Sequence, residues 1–467
     1  MKKMNIGRFA ALAVAIVTLS ADAAPTVGRV LVRQQWPWKE DVRIEYELTG
    51  AAGPVDVTCT VSQGETALAV PLNAFTGDCY GVEGNGLHAM TFSPQKAFKA
   101  GDIPECELSF SLTATEQTAA SKSREVLYKV FDLVDNNVCT DITRGELLNG
   151  KYGPVETDFG AIGEGYATAL PDVCIWTGVT NDPKYATTKL VVRKIDKGSF
   201  KIFQYPKQRN MPQTDTINLT EDYWIGVFEF TFAQCRAIGY TFSDATLDAR
   251  QVVGRGDRHP FCSFTSYELW SAGKDHRDTN IRWDNTSNWI LTKLYQRTGV
   301  KFVPPTVARW HKAYRAGTET YYYDGLFTET PENTASNEYA NVLGLYRYNG
   351  GLTENADGSV TTNGTCAVGQ FRPNAYGLSD MFGNAAEVSH DGGYSSNWPT
   401  TYTEDWVCAL DDVGFPAYYG SWYGGTATSS GNNFWACQQL FSSTANFVGH
   451  GFRVCIGDSY FQPESAE

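Results

Sequence analysis

The stretch from residue 371 to residue 390, FRPNAYGLSDMFGNAAEVSH, combines turn formers, glycines and carboxylates in one short run. The residues that matter are Pro373, Asn374, Gly377, Asp380, Gly383, Asn384 and Glu387. Glycine lets the backbone turn tightly and approach closely, and Asn and Asp favour turns. Carboxylates beside carbonyls that no helix or strand uses are suitable ligands for a hard cation. The run therefore predicts a tightly buttressed or ion-binding loop.

The start of the chain has the pattern of a secretory signal peptide. Two lysines and an arginine precede an apolar run at 9–19, and Ala21-Asp22-Ala23 is an A-x-A cleavage sequence. The apolar run is too short to span a bilayer. We expect residues 1–23 to be removed and the protein to be secreted, periplasmic or on the cell surface, and not an integral membrane protein. The alternative is a cytosolic protein with an apolar first helix.

The charge of the chain excludes two classes of partner. The net charge is -14, and no run of Lys or Arg interrupts the acidic balance. Nucleic acid and anionic membrane surfaces both attract basic patches. We therefore expect no nucleic-acid ligand and no binding to anionic membranes.

The 11 cysteines are scattered and include no C-x-x-C pair, which argues against zinc-ribbon and thioredoxin-like sites. In an exported protein they predict disulfides, with at least one cysteine left over. Cys59 and Cys106 lie in two predicted strands and could join two sheets, although Cys79 leaves that pairing open. Cys139 and Cys174 could tie down the region between two domains.

Residues 24–130 predict a first domain made of strands. Alternation of apolar and polar residues begins at Val42, Val55 and Glu107, and glycines punctuate these runs. Period-two alternation predicts half-buried strands. Several short strands at this spacing predict an immunoglobulin-like β-sandwich.

The rest of the chain predicts a connection, a second domain and a tail. Residues 131–187 are Gly- and Asp-rich with weak periodicity, which indicates a connecting region. Over 188–460 we expect strands and two capped helices, one starting after Thr231 and one after Thr306. Residues 461–467 form a short tail.

Four segments, in this order, resemble the formylglycine-generating enzyme, or sulfatase-modifying factor, family. They are YWIGVFEFT (223–231), PTVARWHKAYRAG (305–317), the opening stretch with Val368-Gly369 before it, and YGSW (419–422) followed by GFRV (451–454). The resemblance covers about 189–460 and implies a C-type-lectin-like domain rich in loops. The fold class that we expect is therefore α+β: an immunoglobulin-like β-sandwich followed by a C-type-lectin-like sulfatase-modifying-factor domain.

The resemblance also implies where copper would bind. Family members carry a C-x4-C pair just after G-G-S-Y/W, and the corresponding positions here are Gly424 and Ser429. Neither supplies the thiolate that Cu(I) prefers, so we assign no catalytic residue. Iron is not expected, because none of the 6 histidines pairs at H-x-x-x-H spacing. The alternative is a sulfatase-modifying-type, metal-dependent oxidoreductase with an altered active site.

Calcium is the metal that the resemblance favours. It implies a structural ion held by the side chains of Asp380 and Glu387 and by the carbonyls of Gly383 and Ala385. A second family site would begin at Asn341. The alternative is a tight turn without a metal, in which Glu387 accepts backbone N–H bonds.

Aromatic residues crowd the end of the chain among short polar residues, a composition typical of recognition loops. Trp422, Tyr423 and Trp435 lie near the lost cysteine positions. His390 and His450, each beside a family motif, are further candidates for the binding surface. We expect a glycan or protein ligand outside the cytoplasm. The alternative is that these aromatic residues fill a loop-rich core.

Overall fold

A computed structural model gives the fold. It describes residues 24–34, 40–98, 107–158, 172–201, 216–250, 252–262, 264–269, 283–284, 286–318, 322–323, 338–346, 352–354, 360–362, 364–392, 401–407, 416–419 and 450–458. Cys106, Trp422, Tyr423, Gly424, Ser429 and Trp435 lie outside these residues.

The described residues of the N-terminal unit form seven strands and a short helix. They are β1 (Thr26–Gln34), β2 (Val42–Thr49), β3 (Val55–Gln63), β4 (Thr66–Ala67), β5 (Phe75–Gly77), β6 (Gly86–Phe92), α1 (Pro94–Ala97) and β7 (Leu108–Glu116). One antiparallel sheet has the order β1-β2-β6-β5 and the other β4-β3-β7. Residues of both sheets share one apolar core.

The predicted alternation is visible in β2. Val42, Ile44, Tyr46 and Leu48 are buried, and the residues between them are not. This confirms the strand predicted there, and β3 and β7 confirm the strands predicted at Val55 and Glu107. The finer assignment of an immunoglobulin-like arrangement stays a prediction.

The remaining elements follow in chain order. They are β8 (Val126–Asp132), β9 (Cys139–Thr143), α2 (Arg144–Leu148), β10 (Lys189–Ile195), β11 (Gly198–Lys201), β12 (Thr216–Leu219), β13 (Tyr223–Gly226), α3 (Phe232–Ala237), α4 (Asp244–Ala249), α5 (Ser266–Leu269), α6 (Ile290–Thr298), α7 (Val307–Arg315), α8 (Glu338–Leu343), β14 (Leu352–Glu354), β15 (Val360–Thr362), β16 (Ala386–Gly392), β17 (Thr403–Glu404), β18 (Pro416–Tyr419), β19 (His450–Gly451) and β20 (Cys455–Gly457).

A central antiparallel sheet organises this part, with the order β20-β13-β10-β8-β9. Its two faces are both buried. In β10, Val191 and Ile195 belong to one core cluster, and Leu190 and Val192 to another. The first cluster contains the apolar face of α7 and the second those of α3 and α6. The result is strand-rich with few helices, consistent with a C-type-lectin-like fold.

The central sheet includes β8 and β9, although residues 131–187 were expected to be a connecting region. Strand β8 crosses the start of that region, and β9 lies inside it. The sequence did not predict β8 because a strand packed on both faces carries consecutive apolar residues and loses the period-two signal. It did not predict β9 because this edge strand has one buried residue, Ile142, and therefore little apolar pattern. Of the seven residues of β8, five are buried. Cys139 on β9 and Cys174 beyond it are both free thiols, one exposed and one buried.

The two predicted helix starts are confirmed. Thr231 caps α3 in a reciprocal arrangement with Gln234, and the Thr306 hydroxyl accepts a bond from the Arg309 backbone N–H at 3.3 Å, capping α7. Helix α7 ends at Arg315, and its C-cap Ala316, with φ 46°, comes just before Gly317. Among the described residues, no helix combines the length and apolar character needed to cross a membrane.

Candidate functional site

Residues 371–385, which we call the motif loop, form a tight loop in which two positions require glycine. Gly377 has φ 79°, and a Cβ there would lie 2.7 Å from the Tyr128 hydroxyl oxygen. Gly383 has φ 83°, and a Cβ there would lie 2.1 Å from the Leu345 carbonyl oxygen. Both the left-handed backbone and the close contact exclude a side chain. The predicted tight loop is therefore present.

Asn374 joins this loop to helix α7. Its side-chain amide donates to the Ala313 carbonyl at 2.7 Å, and its side-chain oxygen accepts the backbone N–H groups of Tyr376 and Leu378. The side chain is fully buried. Asn374 thus fixes the loop against the end of α7.

A buried cluster of three side chains lies beside the motif loop. We call it the ion-pair cluster, and it consists of Glu387, Arg453 and Trp310. Arg453 donates to Glu387 Oε1 through Nη2 at 2.7 Å and through Nε at 3.0 Å, and Trp310 Nε1 donates to Oε2 at 2.7 Å. All three side chains are at most 1% exposed. A buried charge is tolerated only when it is paired and hydrogen-bonded, and this pair is both.

Arg453 also ties the cluster to the backbone around it. Its Nη1 donates to the carbonyls of Gly226 and Val227, each at 2.8 Å, and Nη2 donates to the Ser379 carbonyl at 2.9 Å. One guanidinium therefore connects β13, the motif loop and β16. Such a fixed fork of donors is the geometry for which arginine is suited.

Two more carboxyl groups are buried beside the cluster. Glu229 accepts bonds from the Asn384 amide at 2.7 Å and the Ala385 backbone N–H at 2.8 Å. Burial raises the pKa of Glu229 well above its usual value, and the charges of Asp380 and Glu387 add to this effect. Burial likewise raises the pKa of Asp380 to about 6. Protonated Glu229 would reduce repulsion between these groups.

The predicted calcium ligands fit a cation only in part. Asp380 Oδ2 accepts the Gly369 N–H at 2.6 Å, while Oδ1 is buried without a hydrogen-bond partner, as a ligand oxygen would be in the absence of its ion. In contrast, Arg453 and Trp310 already occupy both oxygens of Glu387. Within the described residues, no three His, Cys, Asp or Glu side chains gather as a metal cage.

The alternative for Glu387, a turn with backbone donors, also differs from the structure, because its donors are side chains. Asn341, expected to begin a second site, lies in α8, and its Oδ1 accepts a bond from the Tyr346 hydroxyl at 2.7 Å.

The two candidate histidines lie in one small sheet with the order β18-β16-β19. His390 is on β16, and its backbone N–H donates to the Pro305 carbonyl at 2.9 Å. Burial, together with the charge of Arg309, lowers the pKa of His390. His450 is on β19, is 3% exposed and pairs with Ala386. The structure thus brings both histidines to the strand that carries Glu387.

The same sheet anchors both ends of the aromatic segment 420–449. Tyr419, the last residue of β18, pairs with Glu387, and Gly451 in β19 pairs with Glu387 from the other side. Adjacent strands lie about 4.8 Å apart, so the two ends are about 10 Å from each other across β16. The predicted residues Trp422, Tyr423 and Trp435, with the positions Gly424 and Ser429, belong to this segment and lie outside the described residues.

A polar cavity of about 400 Å³ is lined by Ala375 and Tyr376 of the stretch 371–390. Its charged lining residues are Lys122, Glu125, Arg144, Asp172, Arg193 and Asp196. Arg144 pairs with Glu125 at 2.8 Å and Lys122 pairs with Asp172. Because the cations and anions balance, the cavity fits a small polar ligand without a large net charge.

The sequence did not predict the role of Glu229 or the hydrogen bonds inside the ion-pair cluster. Each participant does lie in a matched segment: Glu229 in YWIGVFEFT, Trp310 in the α7 segment and Arg453 in GFRV. An arginine in one segment and a glutamate in another predict a buried pair only when the balance of buried charge is considered.

The family of the second domain is given by its match to a family model. A model of the sulfatase-modifying factor enzyme 1-like domain matches residues 179–465. The solved structure of Treponema denticola variable protein 1 is 17% identical, covers 57% of this chain and 95% of its own, and has a TM-score of 0.36. The crystal structure of CarF is 18% identical, covers 57% of this chain and 97% of its own, and has a TM-score of 0.28. No curated protein matches. Because the matched domain spans more than half of the chain, this protein belongs to the family defined by the sulfatase-modifying factor enzyme 1-like domain.

Proposed function

We propose that this chain is an exported recognition protein that binds a glycan or peptide outside the cytoplasm through residues 420–449. The observation that carries the proposal is the register of β16. Its residue Glu387 pairs with Tyr419 on one side and Gly451 on the other, so both ends of the segment are attached to one strand.

That strand is a rigid support. The Glu387 side chain is held by Arg453 and Trp310, and helix α7 packs against both β16 and β18. Binding residues work best on segments whose ends are fixed by a scaffold, because less conformational entropy is lost when a ligand binds. The buried ion-pair cluster therefore acts as the base of the binding surface.

The composition of the segment supports recognition over oxidation. Trp422, Tyr423 and Trp435 stand among Ser, Gly and Asn residues, and aromatic faces with short polar neighbours suit both sugars and peptides. Gly424 and Ser429 occupy the positions of the family's copper ligands and supply no thiolate. The proposal is thus that the family scaffold serves binding without copper chemistry.

Three features complete the proposal. The N-terminal unit is an immunoglobulin-like sandwich that precedes a C-type-lectin-like domain. A structural calcium ion, if bound, takes Asp380 Oδ1, because the Glu387 oxygens already accept bonds from protein donors. Export through residues 1–23 delivers the protein to its ligand.

Binding of the full chain to glycan and peptide arrays tests the proposal. Trp435→Ala should weaken binding of the array hit about 5- to 150-fold, because one stacked aromatic contributes about 1–3 kcal/mol to such a contact. Tyr402→Ala is the matched control, since Tyr402 is an exposed aromatic (53%) of the same domain outside the segment. Melting temperatures of both variants should equal that of the native chain.

A second variant separates the two candidate surfaces. Tyr376→Ala alters the polar cavity beside the motif and should leave binding unchanged. Binding that is lost in Tyr376→Ala but kept in Trp435→Ala would assign the ligand to the cavity and overturn the proposal for residues 420–449.

A further inference from the structure

Two cysteines of the N-terminal unit come from different sheets and face the same core. Cys59 lies on β3, where Val55, Val57 and Val61 are buried and alternate residues are more exposed. Cys59 therefore belongs to the inward face of this strand. Cys79 follows β5 of the other sheet and is 2% exposed. Both residues pack in one apolar cluster.

Both thiols are free in this structure, but the segments that carry them are hydrogen-bonded to each other and line one cavity. The Val57 backbone N–H, two residues before Cys59, donates to the Cys79 carbonyl at 2.7 Å. Cys59 and Cys79 line one small cavity of about 60 Å³, together with Phe75 and Met90. The two cysteines are therefore neighbours across the same apolar space.

We propose that Cys59 and Cys79 form a disulfide that joins the two N-terminal sheets. The two thiols lose two protons and two electrons as the S–S bond forms. A disulfide oxidant such as oxidised glutathione accepts the electrons and protons and becomes two thiols.

The alternative partner of Cys59 is Cys106, which lies outside the described residues. The pairing of Cys59 with Cys106 stays a prediction, and the test below distinguishes it from Cys59–Cys79.

The chemistry of the two thiols agrees with a structural bond. Burial raises the pKa of Cys79 to about 12, with further contributions from Asp78 and from the neighbouring Cys59. Burial also raises the pKa of Cys59 to about 12. Thiols of this kind react slowly in the folded protein, so the bond forms during folding and then resists exchange.

Peptide mapping of the full chain tests the proposal. The protein is refolded in a buffer of reduced and oxidised glutathione, alkylated under denaturing conditions without reductant, digested and analysed by mass spectrometry. The Cys59 and Cys79 peptides should appear as one species, two hydrogen masses below their sum. Alkylated Cys59 and Cys79 in the refolded protein, or Cys59 joined to Cys106, would overturn the proposal.

Thermal melting provides a second readout that does not depend on mapping. A disulfide closing a loop of this length should raise the melting temperature on the order of 10 °C. Dithiothreitol should therefore lower the melting temperature of the native chain and of the control Cys139→Ser, but not that of the double variant Cys59→Ala/Cys79→Ala. An equal shift in the double variant would contradict the assignment.

Discussion

The N-terminal sheets and the motif region of this protein are stabilised by opposite means. In the first, apolar residues of β2, β3 and β6 interlock between two sheets. In the second, the loop and its neighbours bury Glu229, Asp380, Glu387 and Arg453, each at most 1% exposed. An apolar core tolerates many substitutions of similar volume, whereas a buried charge depends on each of its partners. Variants of the motif region should therefore have the larger effects.

The largest effect is expected for Arg453→Met. It leaves the Glu387 carboxylate buried with Trp310 as its remaining side-chain donor, which should lower the free energy of unfolding by about 3–5 kcal/mol. Urea unfolding followed by tryptophan fluorescence measures this. The control is Arg43→Met, which removes the exposed Arg43–Glu45 pair of the N-terminal unit and should not change the unfolding midpoint. Equal effects of the two variants would remove the distinction between the regions.

Gly383→Ala should follow. A Cβ there meets the Leu345 carbonyl at 2.1 Å, at a φ of 83°. The matched control is Gly239→Ala, where φ is 78° but no atom lies within 4 Å of the added Cβ. The left-handed backbone alone costs about 1 kcal/mol, and overpacking raises the total for Gly383→Ala to about 2–4 kcal/mol. Similar urea midpoints for the two variants would show that the backbone around Gly383 can move away from the Leu345 carbonyl at little cost.

Trp310→Phe separates the hydrogen bond to Glu387 from the packing of the ring. Losing a donor to a buried charged acceptor should cost about 2 kcal/mol. Trp176→Phe is the comparison, because Trp176 Nε1 donates to the neutral Tyr152 carbonyl at 2.8 Å, a bond that contributes about 1 kcal/mol. If Trp310→Phe costs no more than Trp176→Phe in urea unfolding, the Glu387 carboxylate does not depend on this donor.

The smallest effect is a pH dependence centred on Lys312. Burial lowers the pKa of Lys312 to about 8, although Asp196 and Asp222 oppose the shift, and its Nζ donates to the Gly198 carbonyl at 2.8 Å. A folded pKa below the unfolded value means that the unfolded chain binds more protons between pH 8 and about 10.5, so stability rises with pH there.

The gain over that range should be about 1 kcal/mol, since solvent screens part of the charge. The difference between the native chain and Lys312→Met, measured by urea unfolding at several pH values, isolates Lys312 from other titrating groups. A difference that stays flat between pH 8 and 10.5 would contradict the lowered pKa.

Features of the fold that are local in sequence could be predicted. Alternation predicted β2 and β3, and Thr231 and Thr306 marked the starts of α3 and α7 because caps depend on residues three positions away. The positive φ at Gly377 and Gly383 agrees with the tight loop predicted from the motif. These signals need no knowledge of what packs against them.

Features that depend on distant contacts could not be predicted in the same way. Glu387 and Arg453 are 66 positions apart, and Glu229 and Asn384 are 155 apart. Strand β8 lost its alternation because both faces are buried, so its place in the central sheet was not visible. The family resemblance implied calcium, but the sequence does not show that Arg453 and Trp310 donate hydrogen bonds to both oxygens of Glu387.

We propose that this protein keeps the family scaffold without its copper chemistry. A Cu(I) titration of the full chain, with oxygen consumption recorded in the presence of a cysteine-containing peptide, tests it most directly. We expect no stoichiometric Cu(I) binding to this protein and no oxygen uptake above that of the peptide alone. One Cu(I) bound per chain together with oxidation of the peptide cysteine would contradict it.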